Sequence, residues 1–144
     1  MEGPGHASGR QADGAAASAR EFAVTIGGPA GSARRIEEPG RLLRVRSVLQ
    51  ATYEQIDRAA LAPEGMPRLQ RQLQELRREL ESTVSPALAA ELRRLLPPRD
   101  EAPSAGALRI ECAVLLSWAD SLVVEMLSML EAAYERLPRR PAAA

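Results

Sequence analysis

The sequence predicts an all-α protein, a four-helix bundle with one long C-terminal helix. Ala, Arg, Leu and Glu make up 79 of the 144 residues, and these residue types favour helices. Apolar residues recur at spacings of three and four through four stretches, which is the period of an amphipathic helix. Prolines lie between these stretches, so we expect four helices joined by loops within residues 36–137.

Composition excludes several classes of protein. The formal net charge is zero, which argues against general binding of nucleic acid. One cysteine cannot form an intrachain disulfide, so no oxidising compartment is required. The longest uninterrupted apolar run, 113–116, is far shorter than the roughly 18 residues of a membrane span, and residues 1–20 contain no apolar signal sequence. We therefore expect a cytoplasmic protein with no membrane partner.

The two ends of the chain are predicted to lie outside the bundle. Residues 1–35 are rich in Gly, Ala, Ser and Arg and have too little apolar surface to offset the entropy of ordering, so we expect a disordered tail. Within it, residues 22–28 form a short apolar, β-prone segment that is either an isolated strand or a docking segment. Residues 138–144 form a short C-terminal tail.

The first three helices each have one apolar face. Helix 1 is predicted over about 40–61 and helix 2 over about 64–83, where Met66 begins a leucine row with heptad spacing. Helix 3 is predicted over 86–96, with Ser85 as its N-cap and Pro86 in the first turn. The predicted apolar face of helix 1 is Leu42, Val45, Leu49, Thr52, Ile56 and Ala59. That of helix 2 is Met66, Leu69, Leu73, Leu76 and Leu80, and that of helix 3 is Leu88, Leu92, Leu95 and Leu96.

Helix 4, predicted over 104–136 with Ser104 as its N-cap, has two apolar stripes. The first stripe is Leu108, Cys112, Leu115, Ala119, Leu122, Met126, Met129 and Ala133, and the second is Ala113, Leu116, Val123, Leu127, Leu130, Tyr134 and Leu137. Three shorter helices cannot cover a helix that is apolar over most of its circumference. We therefore expect a homo-oligomer.

The second stripe supplies the predicted oligomer interface, at Leu116, Val123, Leu127 and Leu130. Trp118 is expected to be structural and packed at a helix–helix contact. Five acidic residues and no basic residue lie between Glu111 and Glu135, whereas helices 2 and 3 are rich in arginine. This partition favours either a fixed pairing of helices or two separately solvated faces.

Residues suited to catalysis are scarce in this sequence. The only histidine, His6, lies in the predicted tail, so we expect no folded base, triad or metal site. Cys112 lies on an apolar helix face and is expected to be a small core residue. We therefore expect no enzyme activity, no metal and no cofactor.

Several motifs resemble the bacterial proteasome activator family over about residues 23–134. Trp118 follows Ile110 by eight residues, as in the long last helix of that family. The other similar stretches are Val24-Thr-Ile-Gly-Gly28, Ile36-Glu-Glu-Pro39 with Arg41-Leu-Leu-Arg-Val-Arg46, and residues 80–92 and 103–110.

The resemblance implies an ATP-independent, four-helix subunit of a twelve-membered ring. Such a ring docks on the 20S proteasome core and admits unfolded protein substrates. Family members dock through a C-terminal Gly-Gln-Tyr-Leu, whereas this chain has no Tyr after Tyr134, so the resemblance identifies no docking residues here. The alternative is a non-proteasomal helical adaptor or regulator that binds partner proteins. A generic coiled-coil regulator would form a dimer and not a large ring.

Overall fold

The computed structural model describes residues 23–27, 34–58, 62–99 and 101–139. These residues form four helices and a two-stranded sheet, so the predicted all-α four-helix class is confirmed. The elements in chain order are strand β1 (Val24–Thr25), strand β2 (Arg35–Ile36), helix α1 (Pro39–Arg58), a 3₁₀ turn (Pro63–Gly65), helix α2 (Met66–Ser82), helix α3 (Pro86–Leu95) and helix α4 (Ala105–Glu135).

The helix bounds differ from the predicted ones by a few residues. Residues 59–61, which were predicted to end the first helix, lie outside the described part of the chain. The second helix begins at Met66 and not at residue 64, because Pro63–Gly65 form a separate 3₁₀ turn. Pro67 occupies the first turn of α2, where its missing N–H removes no helical hydrogen bond.

Helix α4 packs antiparallel to α1, its most extensive neighbour, and then against α2. The Arg109 guanidinium donates to the carbonyl of Ile56, 3.4 Å away, near the end of α1. Further along α4, Asp120 accepts from Arg46, nearer the start of α1. The residue numbers in α1 therefore fall as those in α4 rise, which defines the antiparallel direction.

The core contains most of the predicted apolar faces, but Met129 and Ala133 of the first stripe of α4 are exposed, and Ala59 lies outside the described residues. Met66 is only half-buried, and Leu95 is exposed although it was predicted to face the core. Leu95 and Leu96 are adjacent and therefore about 100° apart around a helix axis. Only Leu96 is directed inward, and it is buried.

The expected disorder through residue 35 is wrong for the described residues of this region. Val24 pairs with Ile36, and Thr25 with Arg35, in an antiparallel arrangement. Ile26 and Ile36 are fully buried in the core of the bundle. The segment expected at 22–28 is therefore, in its described part, a short strand that packs on its own bundle, and burial of two isoleucines offsets the entropy of ordering it.

Backbone hydrogen bonds attach strand β2 to the corner between α2 and α3. The amide of Arg35 donates to Ser85 Oγ at 3.0 Å, and the amide of Ser85 donates to the carbonyl of Arg35 at 2.8 Å. The amides of Glu37 and Glu38 both donate to the carbonyl of Thr83. The corner and the strand thus satisfy one another's buried polar groups.

This attachment changes the role of one predicted helix cap. Ser85 is the N-cap residue of α3 by position, but its side chain makes no capping hydrogen bond, because Oγ accepts from Arg35 instead. Ser104 does cap α4, since its Oγ accepts from the amide of Ala107 at 3.1 Å. The first hydroxyl therefore stabilises a tertiary contact and the second stabilises a helix end.

Helix α4 is long and apolar enough to cross a membrane, judged by length and composition alone. Buried core helices of bundles have the same composition. Here one face of α4 packs on α1 and α2, and Asp120 on its flank forms an ion pair with Arg46. We therefore interpret α4 as the central helix of the bundle.

Candidate interaction surfaces

The four residues of the predicted oligomer interface do not all lie on an open surface. Leu116 is only 8% exposed and belongs to the core of its own subunit. Val123 is half-buried and packs against that core. Leu127 and Leu130 are 56% and 50% exposed. Of the predicted set, only these two leucines thus remain open to a partner.

The open leucines lie where α4 extends beyond the bundle. Helix α4 has 31 residues, against 20 in α1, a difference of about 16 Å at 1.5 Å per residue. Met126 is the last buried residue of α4. All residues from 127 to 139 are exposed except Ala132, which is half-buried. The final turns of α4 therefore project past the N-terminal end of α1.

This projecting segment has an apolar row, which we call the α4 ridge: Leu127, Leu130, Tyr134 and Leu137. Spacings of three, four and three residues align the four side chains along one side of α4 and its C-terminal turn. All four are at least half exposed. Covering each of the two helical leucines would contribute about 1 kcal/mol, roughly half the value for burial of a whole leucine. Exposed apolar rows of this kind are typical of protein–protein contact sites.

A second apolar surface lies between α3 and the first half of α4, and we call it the α3–α4 groove. Its lining residues are Leu95, Ile110, Ala113, Val114, Ser117, Trp118 and Ser121. The groove is open because α3 packs chiefly on α2 and makes few contacts with α4. Leu95 and Ile110, at its rims, are 56% and 62% exposed.

Trp118 lines this groove although its side chain is almost wholly buried. Trp118 is 7% exposed and belongs to the buried core, while Ala113, Ser117 and Ser121 bring only small side chains to the same side of α4. The side chain expected to be structural thus also contributes to the groove.

The sequence reasoning missed the groove because it assigned Leu95 to the core. Two signals could have found it: the adjacency of Leu95 and Leu96, and the position of Ile110. Ile110 belongs to neither predicted stripe of α4, yet it is a large apolar residue in the middle of a helix. An apolar residue outside the core-facing stripes is expected to be exposed, and together with an exposed Leu95 it would form an apolar patch.

Within one copy of the chain, the arginine faces of α2 and α3 and the acidic face of α4 make no fixed pairing among the described residues, so a pairing between copies and separate solvation both stay open. Within the described residues, the ion pair made by the acidic stretch of α4 joins Asp120 to Arg46 of α1, and none joins it to α2 or α3. Arg77 and Arg93 both approach Glu81 at 3.6 Å. The acidic residues near the end of α4 thus remain available to another chain.

The buried thiol of Cys112 has the character of a core group. Burial, assisted by the charge of Glu111, raises the pKa of Cys112 to about 11. Its Sγ lies 3.8 Å from the carbonyl of Leu49, to which it donates weakly. A protonated, inaccessible thiol is a poor nucleophile. Among the residues described, no cluster of three or more His, Cys, Asp or Glu side chains could hold a metal ion.

Fold and surfaces together define a helical bundle with exposed apolar surfaces of the kind that protein–protein contacts use. The sequence model of the family described as bacterial proteasome activator matches residues 26–135. The chain belongs to the bacterial proteasome activator family, whose description is that of a regulator of another enzyme.

Curated relatives agree with this assignment. The chain is 34% identical over 89 residues to the bacterial proteasome activator of Mycolicibacterium smegmatis (strain ATCC 700084 / mc(2)155). It is 36% identical over 93 residues to that of Mycobacterium leprae (strain TN). Each comparison covers 60% of this chain and 51% of the relative, so the chain spans about half the length of the curated relatives it matches.

Proposed function

We propose that this chain assembles into a homo-oligomeric ring, docks on the end of a 20S proteasome core and admits unfolded protein substrates without ATP. The observation that carries the proposal is the family match, which extends over residues 26–135 and includes every helix of the bundle. We further propose a cytoplasmic location, twelve subunits per ring and no enzymatic activity of its own.

The open apolar surfaces support the assembly part of the proposal. Small monomeric proteins rarely expose a contiguous apolar row unless another chain covers it, and this chain of 144 residues exposes such a row. Leu127 and Leu130 both lie on the α4 ridge and are about half exposed. Native mass spectrometry of the whole chain tests assembly directly, and a monomer would contradict this part of the proposal.

Docking and gate opening need a separate experiment. Two forms of the chain are each mixed with a purified 20S core. One is the native chain, and the other carries Gly-Gln-Tyr-Leu attached through a flexible Gly-Ser spacer after Ala144. The readout is hydrolysis of a fluorogenic peptide. We expect weak or no stimulation by the native chain, which lacks the docking motif of the family. The tailed chain should stimulate hydrolysis, because the resemblance implies that this tail enters pockets between the α subunits of the core.

The matched control carries the same tail together with Leu127→Glu and Leu130→Glu. These exposed substitutions should leave the bundle folded but prevent assembly, so the control should lose most of the stimulation through the loss of multivalent docking. A tailed oligomer that binds no core and gives no stimulation would contradict the proteasomal function. It would favour the alternative of a non-proteasomal oligomeric adaptor.

A further inference from the structure

We propose that the α4 ridge of one copy of this chain packs into the α3–α4 groove of the next copy, so that each subunit contact joins two different surfaces. The inference rests on the homo-oligomer of the proposed function and specifies how its subunits meet. The occupant of the groove is a second copy of the chain.

The ridge and the groove are too far apart to act as one surface. Ile110, at the groove, and Leu127, at the start of the ridge, are 17 residues apart on one continuous helix, which corresponds to a rise of about 25 Å. At 100° per residue they also lie about 100° apart around the helix axis. A single flat partner surface cannot cover both, so each subunit offers two separate contacts.

The two surfaces match in shape. The ridge is a row of large side chains with the spacing of successive helical turns, as required for packing into a groove on another helical surface. Along the groove, Ala113, Ser117 and Ser121 recur every four residues. Their small side chains allow close approach, while Leu95 and Ile110 at the rims supply exposed apolar area.

Some of the charges beside the two surfaces are opposite in sign, although Arg136 also lies beside the ridge and Glu111 beside the groove. Glu131 and Glu135 lie next to the ridge and are exposed, as is Arg94 beside Leu95 at the groove. In the described ranges, neither glutamate has an arginine within 4.0 Å, and Arg94 has no carboxylate within that distance. Opposite charges at the edges of an interface orient the partners and raise the association rate.

A contact between unlike surfaces has a consequence for assembly. Each added subunit leaves one ridge and one groove unfilled, so addition continues until the chain of subunits closes into a ring. A contact of ridge with ridge would instead be two-fold symmetric and would fill the ridges of both partners. The ridge–groove contact is therefore the one suited to a ring.

The test uses two variants, each with one damaged surface. The ridge variant carries Leu127→Glu and Leu130→Glu, and the groove variant carries Leu95→Glu and Ile110→Glu. All four side chains are at least half exposed, so both variants should keep the helical circular dichroism of the wild type. Native mass spectrometry should find each variant alone as a monomer of about 15.5 kDa.

Mixing the two variants in equal amounts should restore one intact contact. The ridge of the groove variant then meets the groove of the ridge variant, and growth stops because the remaining surfaces are damaged. We expect a one-to-one heterodimer of twice the 15.5 kDa chain mass. The charge-matched control, Ala51→Glu with Gln74→Glu at exposed positions on α1 and α2, should keep the mass of the wild type.

Three results would overturn the inference. A groove variant that keeps the wild-type mass would show that the groove receives nothing. Two monomeric variants that do not combine would show that ridge and groove are not partners. In both cases an oligomeric wild type would leave the proposed function intact, whereas a monomeric wild type would contradict the proposed assembly as well.

Discussion

Replacing Ile26 by alanine should destabilise the whole bundle, although the residue lies before the first helix. The Ile26 side chain is fully buried in the core, and its amide donates to the carbonyl of Arg34 at 3.0 Å. Truncation of a buried isoleucine to alanine costs about 2–5 kcal/mol. We expect the lower half of that range, about 2–3 kcal/mol, because a strand of only two residues can relax into the space left.

Urea unfolding followed by circular dichroism would measure this loss. Both proteins must be compared at one subunit concentration, because the stability of an oligomer depends on concentration. Thr25→Ala is the matched control, since Thr25 lies in the same strand but is exposed, and its cost should stay within about 0.5 kcal/mol. An Ile26→Ala variant as stable as the Thr25→Ala control would refute the packing of β1 on the bundle.

Four further predictions follow from buried or paired side chains. Because Trp118 is buried, its fluorescence should be blue-shifted in the folded protein and move to longer wavelength on unfolding. If the folded protein emits at the wavelength of an indole in water, the packing of Trp118 is contradicted. Because burial raises the pKa of Cys112 from 9.0 to about 11, the native state holds the thiol proton more tightly, so stability should fall as the pH rises from about 9 towards 11. Folded-state alkylation of Cys112 at pH 8 should also be much slower than alkylation in urea, and equal rates would exclude a buried thiol. The Arg34 guanidinium donates two hydrogen bonds, of 3.0 and 3.1 Å, to the carboxylate of Glu91. A double-mutant cycle with alanine should therefore give a coupling free energy of about 0.5–1 kcal/mol for this partly exposed pair. A coupling of zero would exclude the ion pair in solution.

The helices were predictable because each repeats its pattern over many residues. Leu69, Leu73, Leu76 and Leu80 of α2 are all buried as their spacing predicted. Strands of two residues provide no comparable periodicity. Moreover, Ile36 pairs with Val24 on one side and bridges to Val84 on the other, and local patterns do not reveal partners so distant in sequence.

The candidate surfaces were predictable only in part. Leu127 and Leu130 could be identified because helix length alone shows that α4 is longer than its neighbours. The burial of Leu116 depends on how far the shorter helices reach along α4, which periodicity does not specify. The groove depends on the displacement of α3 from α4 and on the rotation that exposes Leu95, and both are properties of tertiary packing.

Met126, the last buried residue of α4, divides this helix into two parts that differ in how substitutions affect folding. Before it, a substitution on the inward face creates a cavity or a clash and changes folding. After it, a substitution at Tyr134 or Leu137 meets solvent in the isolated subunit and leaves folding almost unchanged. Folding of the bundle therefore places little constraint on the last turns of α4, and the constraint on them comes from the contacts that they make with another chain.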